Sequence, residues 1–482
     1  MNKRYLTALL VAFAGLDLAL TFWQNYQLPL DGDLVAIVLP APWYSQVLHD
    51  PFGWAVLTKN EVYGATNRFF AHAAMGLYWK TVPLLLQRVV APISSLYAAS
   101  ALFTTATQAL LVGLLATYVG RANGGGRGAW GFWVAVALLV PLFQTIGYNE
   151  QMGVTNRAVT YTFFYAFPMA LLLVLLWPFY RAACDRQPLR LGLGAALLLV
   201  GLMVVLAFNG TVATATIAVV LFGVAGQRAW GRWRAAPPRL AWQTLVGGWL
   251  SWQAVGLLGL LAGLCLYSIY IGRNNSENTH DHTLAELYQL LPRGVLSQLS
   301  GKLGLPVLVA LVLVNGQLVR RCVAPSPVRQ RVLVALRWVG LFAAAYVLLL
   351  PLGGYRSYRP YLLRNDSILP ILLALIFAYG LSSHFLLFQL PGRLRTRYLV
   401  WACAVGALFT YADRKLTVPS NNDCERWGLD QLARAPEPVV QLSPACPVLA
   451  WTPILDPNQS EYHAKMLKYW NVTAVEKRYY HK

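Results

Sequence analysis

The chain has 482 residues, of which 57% are hydrophobic and only 12% charged, which excludes a soluble domain of ordinary surface composition, where about a quarter of residues carry charge. Its formal charge of +20 is scattered as short basic clusters between apolar runs. That pattern sets orientation in a bilayer and excludes the basic face of a nucleic-acid-binding protein.

Taken in chain order, the apolar runs predict spans at 5–23, 93–119, 129–147, 159–180, 191–208, 211–226, 244–271, 303–319, 332–350, 367–388 and 397–412. The first, "YLTALLVAFAGLDLALTFW", is close to the ~20 residues that hydrocarbon requires. No small-residue cleavage pattern follows it, so it is expected to be retained as a helix. The fifth and sixth runs are divided by Asn209-Gly210, a tight reversal. The expected fold class is an all-α polytopic membrane protein with about 11 transmembrane helices, a transmembrane domain over 1–412 and an extracytoplasmic tail over 413–482.

Loop charge predicts the orientation. The loops at Lys3-Arg4, "RANGGGR", "RAACDRQPLR", "QRAWGRWRAAPPR", "RRCVAPSPVRQR" and "GRLRTR" carry 18 Lys and Arg and one acid, Asp185. The positive-inside rule makes them cytoplasmic, with the N-terminus inside and the C-terminus periplasmic in a bacterial inner membrane. Of the 19 Asp and Glu, all but Asp185 and the in-span Asp17 then fall on the outer side. A carboxyl in a span is expensive unless it faces the protein interior.

The first outer loop, about 24–92, opens with Asp31-Gly32-Asp33. Such carboxylates can act as a general base or hold a divalent ion; the same three residues also make a hydrophilic turn with a glycine pivot. Asp50 and Glu61 are further acids of that loop. Residues 67–80, "NRFFAHAAMGLYWK", place Phe69, Phe70, Ala73, Ala74 and Leu77 at helical spacing, with Asn67, Arg68 and His72 mostly elsewhere on the turn. Trp43, Tyr44, Trp54, Tyr78 and Trp79 suit the headgroup layer, and one or two short interfacial helices are expected.

Later outer segments add cations. "GGYRSYRPYLLRND", 353–366, sets Arg356, Arg359 and Arg364 among Tyr355, Tyr358 and Tyr361. Guanidinium forks match phosphate oxygens, and Tyr with Arg also serves as an interfacial anchor. Arginines on the outer face run against the positive-inside trend, so something should compensate them. Glu150 and Arg157 share a short outer loop, either paired with each other or with Arg157 reaching a phosphate. His280-Asp281-His282 has metal-ligand chemistry but no third placed ligand, and reads rather as a solvated loop capping a helix from Thr283. Cys424 and Cys446 lie in the polar tail, where a disulfide is plausible outside the cytosol. Cys184, Cys265, Cys322 and Cys403 lie in or beside spans, as small packing residues. No nucleotide loop, G-x-S-x-G or H-E-x-x-H occurs.

With its span layout, the "DGD" at 31–33 and the "NRFF" at 67–70, the chain resembles the GT-C superfamily of membrane glycosyltransferases. The resemblance implies a carboxylate in the first outer loop, here Asp33 or Asp31, that activates or orients an acceptor hydroxyl. It implies a polyprenyl-phosphate-linked sugar donor whose phosphate is met by Arg356, Arg359, Arg364, Tyr355, Tyr358 and Arg157, with Asn67, Arg68, Glu150 and His72 as further candidates. The partners are then membrane lipid, that donor and a glycan or lipid acceptor; no cofactor is required, and a divalent cation is admitted. The glycine inside the acidic motif departs from the family's usual adjacent acids and leaves Asp31 and Asp33 open as alternatives. A lipid transporter or flippase, an outer-face polymerase or ligase, and a noncatalytic assembly subunit are the rival classes.

Overall fold

The first apolar run folds as one helix, α1, over Lys3–Tyr26. At 1.5 Å per residue it is about 36 Å long, enough to cross hydrocarbon with some tilt. The computed structural model describes residues 3–125, 128–145, 152–155, 157–235, 247–278, 282–353, 355, 359, 361–418 and 420–481, and is 73% helical.

The first loop is more ordered than its sequence predicts. It carries α2 (Leu34–Val38), α3 (Pro42–His49), α4 (Trp54–Lys59) and the longer α5 (Phe69–Leu86). Asp50 serves as the cap of α4: its carboxylate accepts from the Trp54 and Ala55 amides at 2.6 and 2.8 Å and from the Tyr63 hydroxyl at 2.9 Å, which satisfies donors that a helix start leaves open. Asn67 is a pin. Its Nδ2 donates to the Ser268 carbonyl and hydroxyl, both at 3.3 Å, and ties the loop to the helix Trp252–Gly272.

α6 (Pro92–Ala122) and α7 (Gly128–Leu139) follow. Among the described residues, eight helices are long and apolar enough to cross a membrane: α1, α6, Val159–Asp185, Thr211–Trp230, Trp252–Gly272, Gly304–Cys322, Pro327–Gly353 and Asn365–Gln389. α7, Leu193–Ala207 and Gly392–Ala412 are helical too, so each predicted apolar stretch has a helix at its centre. The reversal at Asn209-Gly210 falls between Ala207 and Thr211, with Gly210 at φ 123°.

Asn365–Gln389 is the axis of the bundle, with 78% of its most apolar window buried, against 11% for α1. Asn315 donates to the Ser382 and Ser383 hydroxyls at 3.1 and 2.9 Å and accepts from Tyr398 at 2.9 Å. These polar groups lock the rotation of three apolar helices that shape alone would leave free to slide. Val159–Asp185 contains a π-helical turn at Thr162–Ala166. Pro168 lacks the N–H that would bond the Phe164 carbonyl, and the widened turn accommodates that gap.

The tail forms a small folded unit. Its parts are a helix over Asp423–Arg434, a second over Glu461–Tyr469, and strands β1 (Val439–Leu442) and β2 (Arg478–His481), parallel with Val439 opposite Arg478. Cys424 is bonded to Cys446. The unit docks on the first loop: the Trp470 indole donates to the Trp79 carbonyl at 2.9 Å, and Gln87 donates to the Trp470 carbonyl at 2.7 Å. Trp79, expected in the headgroup layer, is fully buried there. A second amphipathic helix, Leu284–Ser300, starts at Thr283 as the sequence predicts, and opens with a reciprocal cap between Thr283 and Glu286.

Candidate functional site at the tail end of the bundle

The chain leaves α1 ahead of Pro29, and a buried acid of the tail catches it. Glu425 accepts from the Leu30 amide, the Leu449 amide and the Tyr97 hydroxyl, each at 2.9 Å. The next acid, Asp31, is also spent on the fold. Its carboxylate accepts from the Thr160 hydroxyl at 2.7 Å, the Thr160 amide at 3.1 Å and the Asp33 amide at 3.2 Å, and so caps the start of Val159–Asp185 from outside. Burial pushes Asp31 up to about 6, with the charge of Asp33 adding to it, and Glu425 up to about 7, with the charge of Asp31 adding to it.

Gly32 is required because the tail lies directly over it. A Cβ there would stand 2.6 Å from the Trp451 amide nitrogen and 2.7 Å from its ring, closer than non-bonded atoms approach. Gly32→Ala is therefore expected to lift the Trp451 segment off the loop, read as at least a tenfold faster amide exchange across 449–451, with the bundle's protection unchanged. Asp33 differs from its neighbour. It is half-exposed, stands at the start of α2, and accepts from the Trp451 indole at 3.0 Å.

Beside it is a charged aromatic knot. The Arg68 guanidinium lies 5.7 Å from the centre of the Phe164 ring, and its stem fills the space a side chain at Gly210 would need. His72 stacks on Phe164 at 5.2 Å and meets the edge of Tyr44 at 5.2 Å. The Tyr44 hydroxyl donates to Glu277. His72 is held down to about 3, by burial first and then by Arg68, so it is a neutral imidazole at any physiological pH. Its Nδ1 is buried without a partner.

Arg359 and Arg364 both reach Asp366, a buried acid. Arg364 grips it with two nitrogens, Nε at 3.1 Å, and Arg359 stands at 3.4 Å. This acid, two residues on from Arg364, compensates the two guanidiniums. Tyr355 donates to the Arg359 carbonyl and lies 5.4 Å from the His282 ring. The two stretches approach one another around Tyr161, whose ring centre lies 6.2 Å from that of Trp451, the donor to Asp33. Tyr161 and Asp366 line one small cavity of about 10 Å³, room for roughly one water.

The assembly offers one half-exposed carboxylate, three guanidiniums, a neutral buried imidazole and an indole donor. Such a set can accept a proton from a hydroxyl and stabilise an anion beside it. Among the described residues no three His, Cys, Asp or Glu side chains gather as a metal-binding group, a poor fit to the divalent cation that the resemblance admits, and no step below is routed through one. Glu150, Arg356, Tyr358, His280 and Asp281 lie outside the described residues, and Arg157 is exposed. The sequence reading passed over Thr160, Tyr161, Phe164, Glu277, Glu425 and Trp451. Only the Phe167-Pro168 pair marks the first three, as a site where a regular helix must widen. No family model matches the chain, and no curated protein matches it.

Proposed function

We propose that the chain is an inverting glycosyltransferase that moves a sugar from a polyprenyl-phosphate donor to a glycan or lipid acceptor at the outer face of a bacterial inner membrane. The observation that supports it best is the link from Asp33 through Trp451 and Tyr161 to the cavity lined by Asp366, the acid that Arg359 and Arg364 share, drawn from segments more than three hundred residues apart. The acceptor oxygen attacks the sugar's anomeric carbon and its proton passes to Asp33. The bond from that carbon to the phosphate oxygen breaks with its electron pair, and Arg68, Arg359 and Arg364 stabilise the phosphate where that charge develops. Of the two acids, Asp33 is assigned the base, because Asp31 already accepts three hydrogen bonds.

The topology that accompanies this reading has eleven crossing helices, the eight long ones with α7, Leu193–Ala207 and Gly392–Ala412. The N-terminus is cytoplasmic and the tail periplasmic. Two observations support it. Arg121, Asp185 and Arg331 gather at the end of α6 away from the tail, as cytoplasmic loops would, and the tail's Cys424–Cys446 bond suits an oxidising compartment.

The test uses the purified full chain in liposomes with radiolabelled polyprenyl-phosphate sugars and an envelope lipid extract as acceptor. Release of polyprenyl phosphate with label moving to the extract is expected. Arg364→Gln is expected to raise KM for the donor by about tenfold or more. Movement of intact lipid-linked sugar between leaflets with no cleavage would overturn the transferase in favour of a flippase.

A further inference from the structure

At the end of the bundle away from the tail, α6, α7 and Asn365–Gln389 enclose a cavity of about 230 Å³, lined among others by Gly120, Arg121, Asn123, Phe132, Trp177 and His384. The candidate functional site uses none of these residues. The corner is electropositive: Arg121 pairs with Asp185, Arg181 stands 4.0 Å from the same carboxylate, and Arg331 donates to the Ala122 carbonyl at 3.2 Å. Two guanidiniums thus share one acid with a third close by, and the Nε of Arg121 is buried with no acceptor.

The histidine fixes what Asn123 asks for. His384 Nε2 lies 3.1 Å from the Gly131 carbonyl, so it must carry the proton, and Nδ1 is then a bare acceptor. Asn123 Nδ2 stands 2.9 Å from that Nδ1 and donates also to the Leu381 carbonyl. The amide orientation is thereby set, and its Oδ1 is left buried without a donor, on a residue only 7% exposed. A buried orphan acceptor destabilises the fold around it, and a ligand hydroxyl would remove that cost.

We propose that this cavity binds a phosphate ester bearing a free hydroxyl, supplied in the membrane by the headgroup of phosphatidylglycerol. The phosphate faces Arg121 and the glycerol hydroxyl donates to Asn123 Oδ1. The volume is below the ~300 Å³ at which pockets begin to enclose whole drug-sized molecules, so it takes a headgroup and leaves the acyl chains outside. Trp177 and Phe132 in the wall suit the boundary between headgroups and chains.

The experiment measures thermal unfolding of the full chain in detergent with added phosphatidylglycerol, phosphatidylcholine or glycerol 3-phosphate. Phosphatidylglycerol is expected to raise Tm by a few degrees and phosphatidylcholine to do nothing. Gly120→Leu, at a position where a Cβ meets nothing within 4 Å, fills the cavity and is expected to abolish the shift. Asn123→Ala, which leaves the ion pair intact, is expected to reduce it roughly threefold. A glycerol 3-phosphate shift lost in both variants would support the site and make its ligand soluble. A phosphatidylglycerol shift of equal size in wild type and both variants, or no shift from either phosphate ester, would overturn the proposal.

Discussion

The Asp33→Asn variant is expected to lose about 10²- to 10⁴-fold in sugar transfer, the span that general-base removal produces, with its unfolding temperature close to wild type. Asp31→Ala is expected to do the reverse. It strips an acceptor from the Thr160 amide, the Thr160 hydroxyl and the Asp33 amide at once, which predicts a loss of roughly 2–4 kcal/mol in stability, while turnover per folded molecule falls far less. The contrast follows from position: Asp31 is 4% exposed and fully engaged, whereas Asp33 is half-exposed at the start of α2. The measurement is turnover normalised to folded protein, next to a thermal melt. Equal turnover in Asp33→Asn and wild type would remove the assigned base.

Stability is also expected to fall as pH rises from about 4 to about 7. Asp31 and Glu425 hold their protons more tightly in the folded chain, near 6 and 7, than in the unfolded chain, near 3.8 and 4.5. A raised folded pKa stabilises the fold fully below the unfolded value, and that contribution is lost as pH climbs through the folded one. Between pH 5.5 and 7.5 the two acids together are expected to cost about 2–3 kcal/mol at the junction of tail and first loop. Melting at intervals across that range reads it directly. Glu425→Gln turns its amide toward an N–H that the carboxylate accepted, so its Tm is expected to be lower at pH 5 and its slope flatter. A wild-type slope retained in that variant would assign the pH dependence to other groups.

Several features were legible in the residues. Long apolar runs marked the helices, because a bilayer imposes both the length and the composition of what crosses it. The helix start at Thr283, Cys424 with Cys446 and the break at Asn209-Gly210 were readable since each depends on local spacing or scarce chemistry. The compensation of outer-face arginines was foreseen as a need, although Asp366 was not singled out as its source.

Other features had no local signature. Asp31 and Asp33 are identical side chains two positions apart, and only the arrival of Thr160 on one and Trp451 on the other separates a buried helix cap from a half-exposed carboxylate. Gly32 looked like a turn pivot until the tail was laid across it. The sequence determined that this chain is a helical membrane protein, and roughly where each helix runs, because hydrophobicity accumulates along the chain. Tertiary structure alone decided which acid is buried as a helix cap, which acid the two arginines share and that the tail closes over the first loop. Those outcomes depend on contacts between residues hundreds of positions apart, and no pattern along the chain encodes them.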